Sequence, residues 1–535
     1  MKRVIVLVVC LFFPGLAAAS QGMVVAAQEK AAAAGIQMLK QGGNAFDAAA
    51  ATALAVGVVE PGSSGIGGGG FFLLYIAKEH RYVMLDARET SPALAGNGEV
   101  YETQSSIDGP QSAGVPGLAA GVDHLVSRYG KLNRGTVVQP AIELAKNGFE
   151  VSDRLQGMLN WRGKVFNDTA RHTFLSGAVI KQAALADTLS RFAQGGAEDF
   201  YRGETAGRLV ADMKRDGGLI READLAAYRV IEREPVQFDY QGYHIISAPL
   251  PSSGGMTLAH IFGQLKHDDL KSMRQADRAH LLIESMKRAY HDRNAHLGDS
   301  DFVKIPDLLE AERLKALRVG IDMQRATPSA ELGNSIEAIG AGTDTTHFSV
   351  IDDEGNMVSA TLSINYGFGS GYVSPSTGIL LNDEMDDFAT RPGKANAYGL
   401  VQGAANAVAP GKRMLSSMTP TFVIGPKRTF IVGTPGGSRI ISMVLLSSLG
   451  FMLDETAPAD WVNAPRFHHQ FLPDEVQHEE GAFTPEVTTE LQKRGHVLKQ
   501  MRDYGNMYAI VLDKETDKLT GLADRRGEGL ILHTK

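Results

Sequence analysis

The chain has 535 residues, with 53 Lys and Arg against 61 Asp and Glu and a net charge of -8 at pH 7. The two signs are well mixed and no basic run tracks a phosphate backbone, which excludes nucleic acid as a partner. At this length a 44% hydrophobic share builds a large core, and the 59 glycines imply many tight turns and close backbone approaches.

Met1-Lys2-Arg3, an apolar run over residues 4–13 and the small residues Ala17-Ala18-Ala19 form the three parts of a secretory signal peptide. The run is too short to span a bilayer, so residues 1–19 read as a cleaved leader and the protein as exported, to the periplasm or the extracellular space. Leu7-Val8-Val9-Cys10 has the flavour of a lipobox but comes too early, with apolar residues still following. Cys10 is the only cysteine. It leaves with the leader, so the mature chain has no disulfide, thiol nucleophile or Cys metal ligand.

Residues 29–40 predict a helix stopped by Gly42-Gly43. Asn44 then caps an Ala-rich helix reaching about Val59, with Asp47 at its third position and Pro61 beyond its end. Residues 71–76 predict a strand, with 83–85 as hairpin partner. From 115 to 300 the pattern is mostly helical, clearest over 276–297, where Leu282, Met286, Ala289 and Tyr290 share a face. Strands are expected within 236–248. A polar loop over 333–342 precedes a change of character, with strands at 345–351, 357–364, 420–424, 429–432 and 509–512. Helices follow near 440–450 and 486–494. Without repeats or a low-complexity linker, the chain reads as one layered α/β (α+β) protein.

The run Gly65–Gly70 lies between a helix and a strand. That is the wrong order for a phosphate loop, and it reads as a tight turn. His280, His291 and His296 are spaced by eleven and five residues, not by the four that suits metal ligands on a helix, so no metal site is expected. No Gly-x-Ser-x-Gly elbow occurs, which disfavours an α/β-hydrolase serine enzyme. Asp353-Glu354-Gly355 fits a three-residue hairpin loop, and that register places Thr345 opposite Ser363, with Asn365 just beyond. Such a cluster suits a site, but a Thr/Ser cross-strand pair is also an ordinary feature. Gly433–Ser438 follows a strand and precedes a helix; its glycines suit an oxyanion hole or a plain turn. Glu384, Asp386 and Asp387 form an acidic cluster with Met385 and Phe388 beside it.

Five blocks carry a stronger message. GGNAFDAAAATALAVGVVEPGSSGIGGGGFFLLY (42–75), TTHFSVIDDEGNMVSATLSINYGFGSG (345–371), GILLNDEMDDF (378–388), LSSMTPTFV (415–423) and GTPGGSRII (433–441) resemble, in order, the signature blocks of γ-glutamyltransferases. The resemblance implies the N-terminal nucleophile hydrolase fold, two central sheets between helix layers. It implies self-cleavage between Asp344 and Thr345 through an ester, leaving a large subunit (20–344) and a small one (345–535). Thr345 is then the nucleophile, and its freed α-amine, with a pKa near 7.7–8.0, is an adjacent base. Thr346 and His347 shape the site without transferring protons. The donor would be glutathione or another γ-glutamyl compound, and the acceptor water, an amino acid or a dipeptide, with no cofactor. Arg88 matches the residue that binds the donor's α-carboxylate and Asp387 the one that holds its ammonium. Glu384, Asn365, Ser416 and Ser417 match further polar contacts, Gly436 and Gly437 the oxyanion hole, and Ser363 a hydroxyl position beside Thr345. Residues 389–408, with Tyr398, resemble a lid over the γ-glutamyl pocket, which favours donors of glutathione size over poly-γ-glutamate.

Two departures stand out. Asp383 replaces a common Asn and adds a negative charge, and Tyr366-Gly367 differs from the usual residues after Asn365. A related acylase, acting on a glutaryl β-lactam or on poly-γ-glutamate, and an inactive exported binding homologue remain alternatives.

Overall fold

The computed structural model describes residues 21–333, 345–390 and 396–534. The leader, Asp344 and part of the 389–408 segment therefore lie outside the described residues. Two large sheets form the middle of the molecule. Their strands are β1 (Met23–Ala26), β2 (Gly69–Ile76), β3 (Arg81–Ala87), β4 (Ile231–Arg233), β5 (Val236–Tyr240), β6 (Tyr243–Ser247), β7 (Thr346–Ile351), β8 (Met357–Ser363), β9 (Thr421–Ile424), β10 (Arg428–Val432), β11 (Tyr508–Asp513), β12 (Leu519–Ala523) and β13 (Leu530–His533). One sheet has the order β13-β1-β7-β8-β2-β3-β4, the other β12-β11-β10-β9-β6-β5, and neighbouring strands run antiparallel.

Strand alternation sorts the side chains into layers. Val24, Ala26, Phe72, Leu74, Val358 and Ala360 join one core with helices α1 (Glu29–Lys40), α2 (Ala45–Val59), α3 (Arg134–Asn147) and α4 (Ala183–Arg202). Met23, Val25, Phe71 and Leu73 point the other way, into a core with the second sheet and helices α5 (Gly254–Gln264), α6 (Gln275–His296) and α7 (Ile440–Leu453). The result is helix, sheet, sheet, helix, as expected.

Local signals hold where they are strong. Asn44 Oδ1 accepts from the Phe46 and Asp47 N–H groups at 3.0 and 3.1 Å, and Asp47 Oδ2 accepts from Asn44 N–H at 3.0 Å. This capping box starts a helix buried on every side, whose apolar sequence shows no polar face. The glycine run is a close approach, not a ligand loop. A Cβ on Gly67 would lie 2.1 Å from Leu380 O, and one on Gly68 2.2 Å from Ser363 O. Glycine there lets the chain pass directly beside the end of β8.

Candidate active site

The β7–β8 hairpin has the expected register, Ile351 opposite Met357 through Thr346 opposite Leu362. Asp352 Oδ1 closes its turn by accepting from Glu354 and Asn356 N–H groups at 2.9 and 2.8 Å, and Gly355 takes φ 83°. At the open end Thr345 Oγ1 lies 3.4 Å from Ser363 Oγ, both side chains buried. Ser363 Oγ accepts from Asn365 N–H at 2.8 Å, which holds Asn365 in a left-handed conformation at φ 71°. The Asn365 amide donates to Asp383 O at 3.1 Å.

Beneath this point Thr346 donates to Glu60 Oε2 at 2.8 Å. His347 is buried between Thr361 Oγ1 at 2.9 Å and Ser349 Oγ at 3.3 Å, and burial pushes its pKa down to about 3. It is neutral at working pH, as suits a shaping role.

Arg88 follows β3 and is 1% exposed. Its Nη1 donates to Glu384 Oε2 at 2.6 Å, its Nη2 to Asp387 Oδ2 at 2.5 Å, and Glu89 Oε2 lies 3.4 Å from Nη1. Glu384 and Asp387 come from a short 3₁₀ turn, Glu384–Asp387, anchored by Asn382, whereas Glu89 is the residue after Arg88. Asn382 Oδ1 accepts from Glu384 and Gly114 N–H groups at 3.0 and 2.9 Å, while its amide donates to Gly67 O and Gly114 O. Burial pushes Glu89, Glu384 and Asp387 up to about 7 each, against the opposing pull of Arg88. Glu384 Oε1 is buried without a hydrogen-bond partner among the described residues, an acceptor suited to a cation.

One cleft gathers Thr345, Ser363, Asn365, Arg88, Glu384, Asp387, Ser416, Ser417, Tyr398 and Gly437. Gly436, the residue before, does not line it. Gly436 and Gly437 have φ of 140° and 57°. Tyr398 donates to Asn365 O at 2.9 Å, and its ring covers Gly437, where an added Cβ would lie 2.4 Å from the ring. The space left in the cleft is about 20 Å³, little more than one water. Tyr398 and Leu400 form part of its wall.

Two findings depart from the sequence reading. Asp383 is fully buried, and that burial raises its carboxyl well above the usual range, against the negative charge expected of it; Oδ1 accepts from Tyr366 N–H at 2.9 Å. Arg293, not singled out from the sequence, lines the cleft and is fully buried. It donates from Nη2 to Ser417 Oγ at 2.9 Å and from Nε to Ser253 Oγ at 2.9 Å. The sequence carries no distinct signal for it, because helix α6 is rich in charged and polar residues along its length.

A family model described as gamma-glutamyltranspeptidase matches residues 31–533. The glutathione hydrolase proenzyme of Escherichia coli K12 is 39% identical over 532 residues, 95% of this chain and 91% of that protein. The protein of the same name from Pseudomonas aeruginosa is 41% identical over 524 residues, 93% and 92% of the two chains. Among solved structures, the cephalosporin acylase from Bacillus halodurans has a TM-score of 0.84 at 29% identity and covers 96% of each chain.

Proposed function

The chain belongs to the γ-glutamyltranspeptidase family, and from that membership we propose how its cleft carries out the family's reaction. It is an enzyme on the N-terminal nucleophile hydrolase fold that transfers the γ-glutamyl group of glutathione and related compounds, or hydrolyses it off. The relatives are named proenzymes, and here the cut falls between Asp344 and Thr345, giving subunits 20–344 and 345–535. Export by a leader over residues 1–19 belongs to the same reading. Among the described residues no helix is long and apolar enough to cross a membrane.

The freed Thr345 amine takes the proton of its own hydroxyl, a short transfer to a base of suitable pKa. The hydroxyl oxygen attacks the γ-carbonyl, assisted by the Ser363 hydroxyl beside it. Backbone N–H groups of Gly436 and Gly437 stabilise the developing oxyanion. The amine leaves with a proton, and a γ-glutamyl ester remains on Thr345. Water, or the amine of an amino acid or dipeptide, then attacks the ester.

The glutamyl head group is held by charge. Asp387 and Glu384 accept from its ammonium, and Glu384 Oε1 has the capacity free to do so. Arg88, with Ser416, Ser417 and Asn365, takes its carboxylate, and Tyr398 closes the wall. The supporting observation is the convergence of Thr345 and Ser363 with Arg88, Glu384 and Asp387 on one cleft. A glutaryl group has no ammonium for these carboxylates, which weighs against the acylase alternative. The intact Thr345 and head-group residues weigh against an inactive binding homologue.

Purified protein is expected to run as two chains on a denaturing gel, the smaller beginning at Thr345 by N-terminal sequencing. Thr345→Ala is expected to stay uncut and release no amine from a γ-glutamyl anilide. A different start, or a fully active uncut chain, refutes the assignment.

A further inference from the structure

Two arginines line the cleft, and their surroundings differ. At Arg88 burial, which lowers the pKa of a cation, is outweighed by Glu384, Asp387 and Glu89, and the group is pushed up. Arg293, on α6, has only neutral hydrogen-bond acceptors among the described residues: Ser253 Oγ and Ser417 Oγ, each at 2.9 Å, and the Asn294 amide oxygen, which meets Nη1 at 3.0 Å. Asp387 is near enough to act on its charge but makes its ion pair with Arg88. Burial pulls Arg293 down to about 10, so it is still charged at working pH. A buried cation with neutral partners has lost its hydration and gained no counter-charge. An anion bound in the cleft supplies what is missing.

The neutral partners belong to the cleft wall. Ser416 and Ser417 line it together with Arg293. Ser253 Oγ accepts from Arg293 Nε and donates to Ser416 O at 2.7 Å, and Ser253 N–H donates to the same oxygen at 2.8 Å. One guanidinium thus holds Ser417 directly and Ser416 through Ser253. Ser417 is half-buried, and its Oγ accepts from Arg293 Nη2, which leaves its own hydroxyl proton to donate to a ligand. A hydroxyl polarised by a cation behind it is a stronger donor to a carboxylate.

We propose that Arg293 is a positioning residue for the donor's α-carboxylate and its second counter-charge, acting through the Ser417 hydroxyl. This rests on the γ-glutamyl reading above. In that reading Arg88 takes the carboxylate, but Arg88 shares its one charge with Glu89, Glu384 and Asp387. Arg293 adds a charge that no acid of the described residues has claimed in an ion pair. The head group, one ammonium and one carboxylate, then meets acids on one side and two guanidinium groups on the other. No bond at the donor's α-carbon changes during the reaction, so Arg293 acts equally on bound donor and transition state. Its loss is felt in KM and not in kcat. Donors without the carboxylate gain nothing from it.

Release of 4-nitroaniline is compared for γ-glutamyl-4-nitroanilide and for 4-aminobutyryl-4-nitroanilide, the same molecule without its α-carboxylate. The wild type is expected to favour the γ-glutamyl donor about 100-fold or more in kcat/KM. Arg293→Gln is expected to lose about tenfold or more of that preference through a raised KM for the γ-glutamyl donor, with its kcat, and the use of the 4-aminobutyryl donor, within about threefold of wild type. Arg293→Lys, which keeps the charge, is expected to fall between the two. Equal losses on both donors, the mark of a merely structural role, or an unchanged preference overturns the proposal. So does a wild type that uses both donors alike. A denaturing gel reports whether each variant is cut; should Arg293→Gln stay uncut, Arg293→Lys decides by the same ratio. A wild type that releases no nitroaniline from the γ-glutamyl donor would refute the underlying γ-glutamyl reading instead.

Discussion

At Arg88 one buried guanidinium meets Glu89, Glu384 and Asp387, and a single positive charge cannot neutralise all of them. Each carboxyl is pushed up to about 7 by burial. The folded state therefore binds more protons than the unfolded chain between the ordinary carboxylate range and pH 7. Its stability is fully present at low pH and is lost as pH rises through about 7. Glu89→Gln removes one of these ionisations while Arg88 keeps its other partners. Calorimetry of the substrate-free variant is expected to match wild type near pH 5 and exceed it by about 1–3 °C at pH 8; a pH-independent offset would contradict this. Arg88→Ala and Asp387→Ala are expected to cut themselves normally. Their kcat/KM on a γ-glutamyl anilide should fall roughly 30- to 1,000-fold, the effect of leaving a desolvated ligand charge unpaired. Near-normal turnover by Asp387→Ala would revive the acylase alternative. At this scale the Thr345–Ser363 pairing was legible because a hairpin's period and loop length fix who faces whom. The burial of Asp383 and the presence of Arg293 were not, because burial is a property of the assembled fold.

The strap that follows the carboxylate turn is tied to it, among the described residues, through Ala397, Gln402 and Asn406. Ala397 N–H donates to Asp386 Oδ2 at 2.8 Å, and the side chains of Gln402 and Asn406 donate to Asp387 O at 3.0 and 2.7 Å. Two of these bonds hold the strap to Asp387, the residue assigned to the substrate's ammonium. Tyr398→Phe keeps the ring and loses the bond to Asn365 O, worth about 1 kcal/mol. It is expected to raise hydrolysis relative to transfer about two- to fivefold, read as anilide turnover without and with glycylglycine. Tyr398→Ala should go further and degrade long poly-γ-glutamate faster than wild type, which a gel of polymer length would show. No change in either ratio would deny the strap a role. Helices with caps and strands with clear alternation were readable in advance, and α2, β7 and β8 lie where the sequence puts them. Strands β1, β12 and β13 escaped notice. They are four or five residues long, and β1 is buried on both faces, so neither length nor alternation marks it.

Across the whole molecule the first sheet interleaves the two sides of the proposed cut. Strand β1 lies between β13 and β7, and β8 pairs with β2 from Met357–Tyr75 to Ser363–Gly69. The proposed 20–344 and 345–535 pieces thus share one hydrogen-bonded sheet and both cores, and breaking one peptide bond removes none of those contacts. The cut protein is expected to elute as one species in native size-exclusion chromatography while giving two bands on a denaturing gel; separation without denaturant would contradict the interleaving. The layered class was readable from the order of elements, but this pairing of distant strands was not, because register between them is set only in three dimensions. The interleaved sheet also changes the law of mass action for unfolding. An uncut precursor that melts gives one particle, whereas the mature molecule gives two, which must find each other again to refold. The melting temperature of the mature enzyme should therefore rise with protein concentration while that of Thr345→Ala stays constant, so maturation turns a unimolecular fold into an obligate dimer of its own halves.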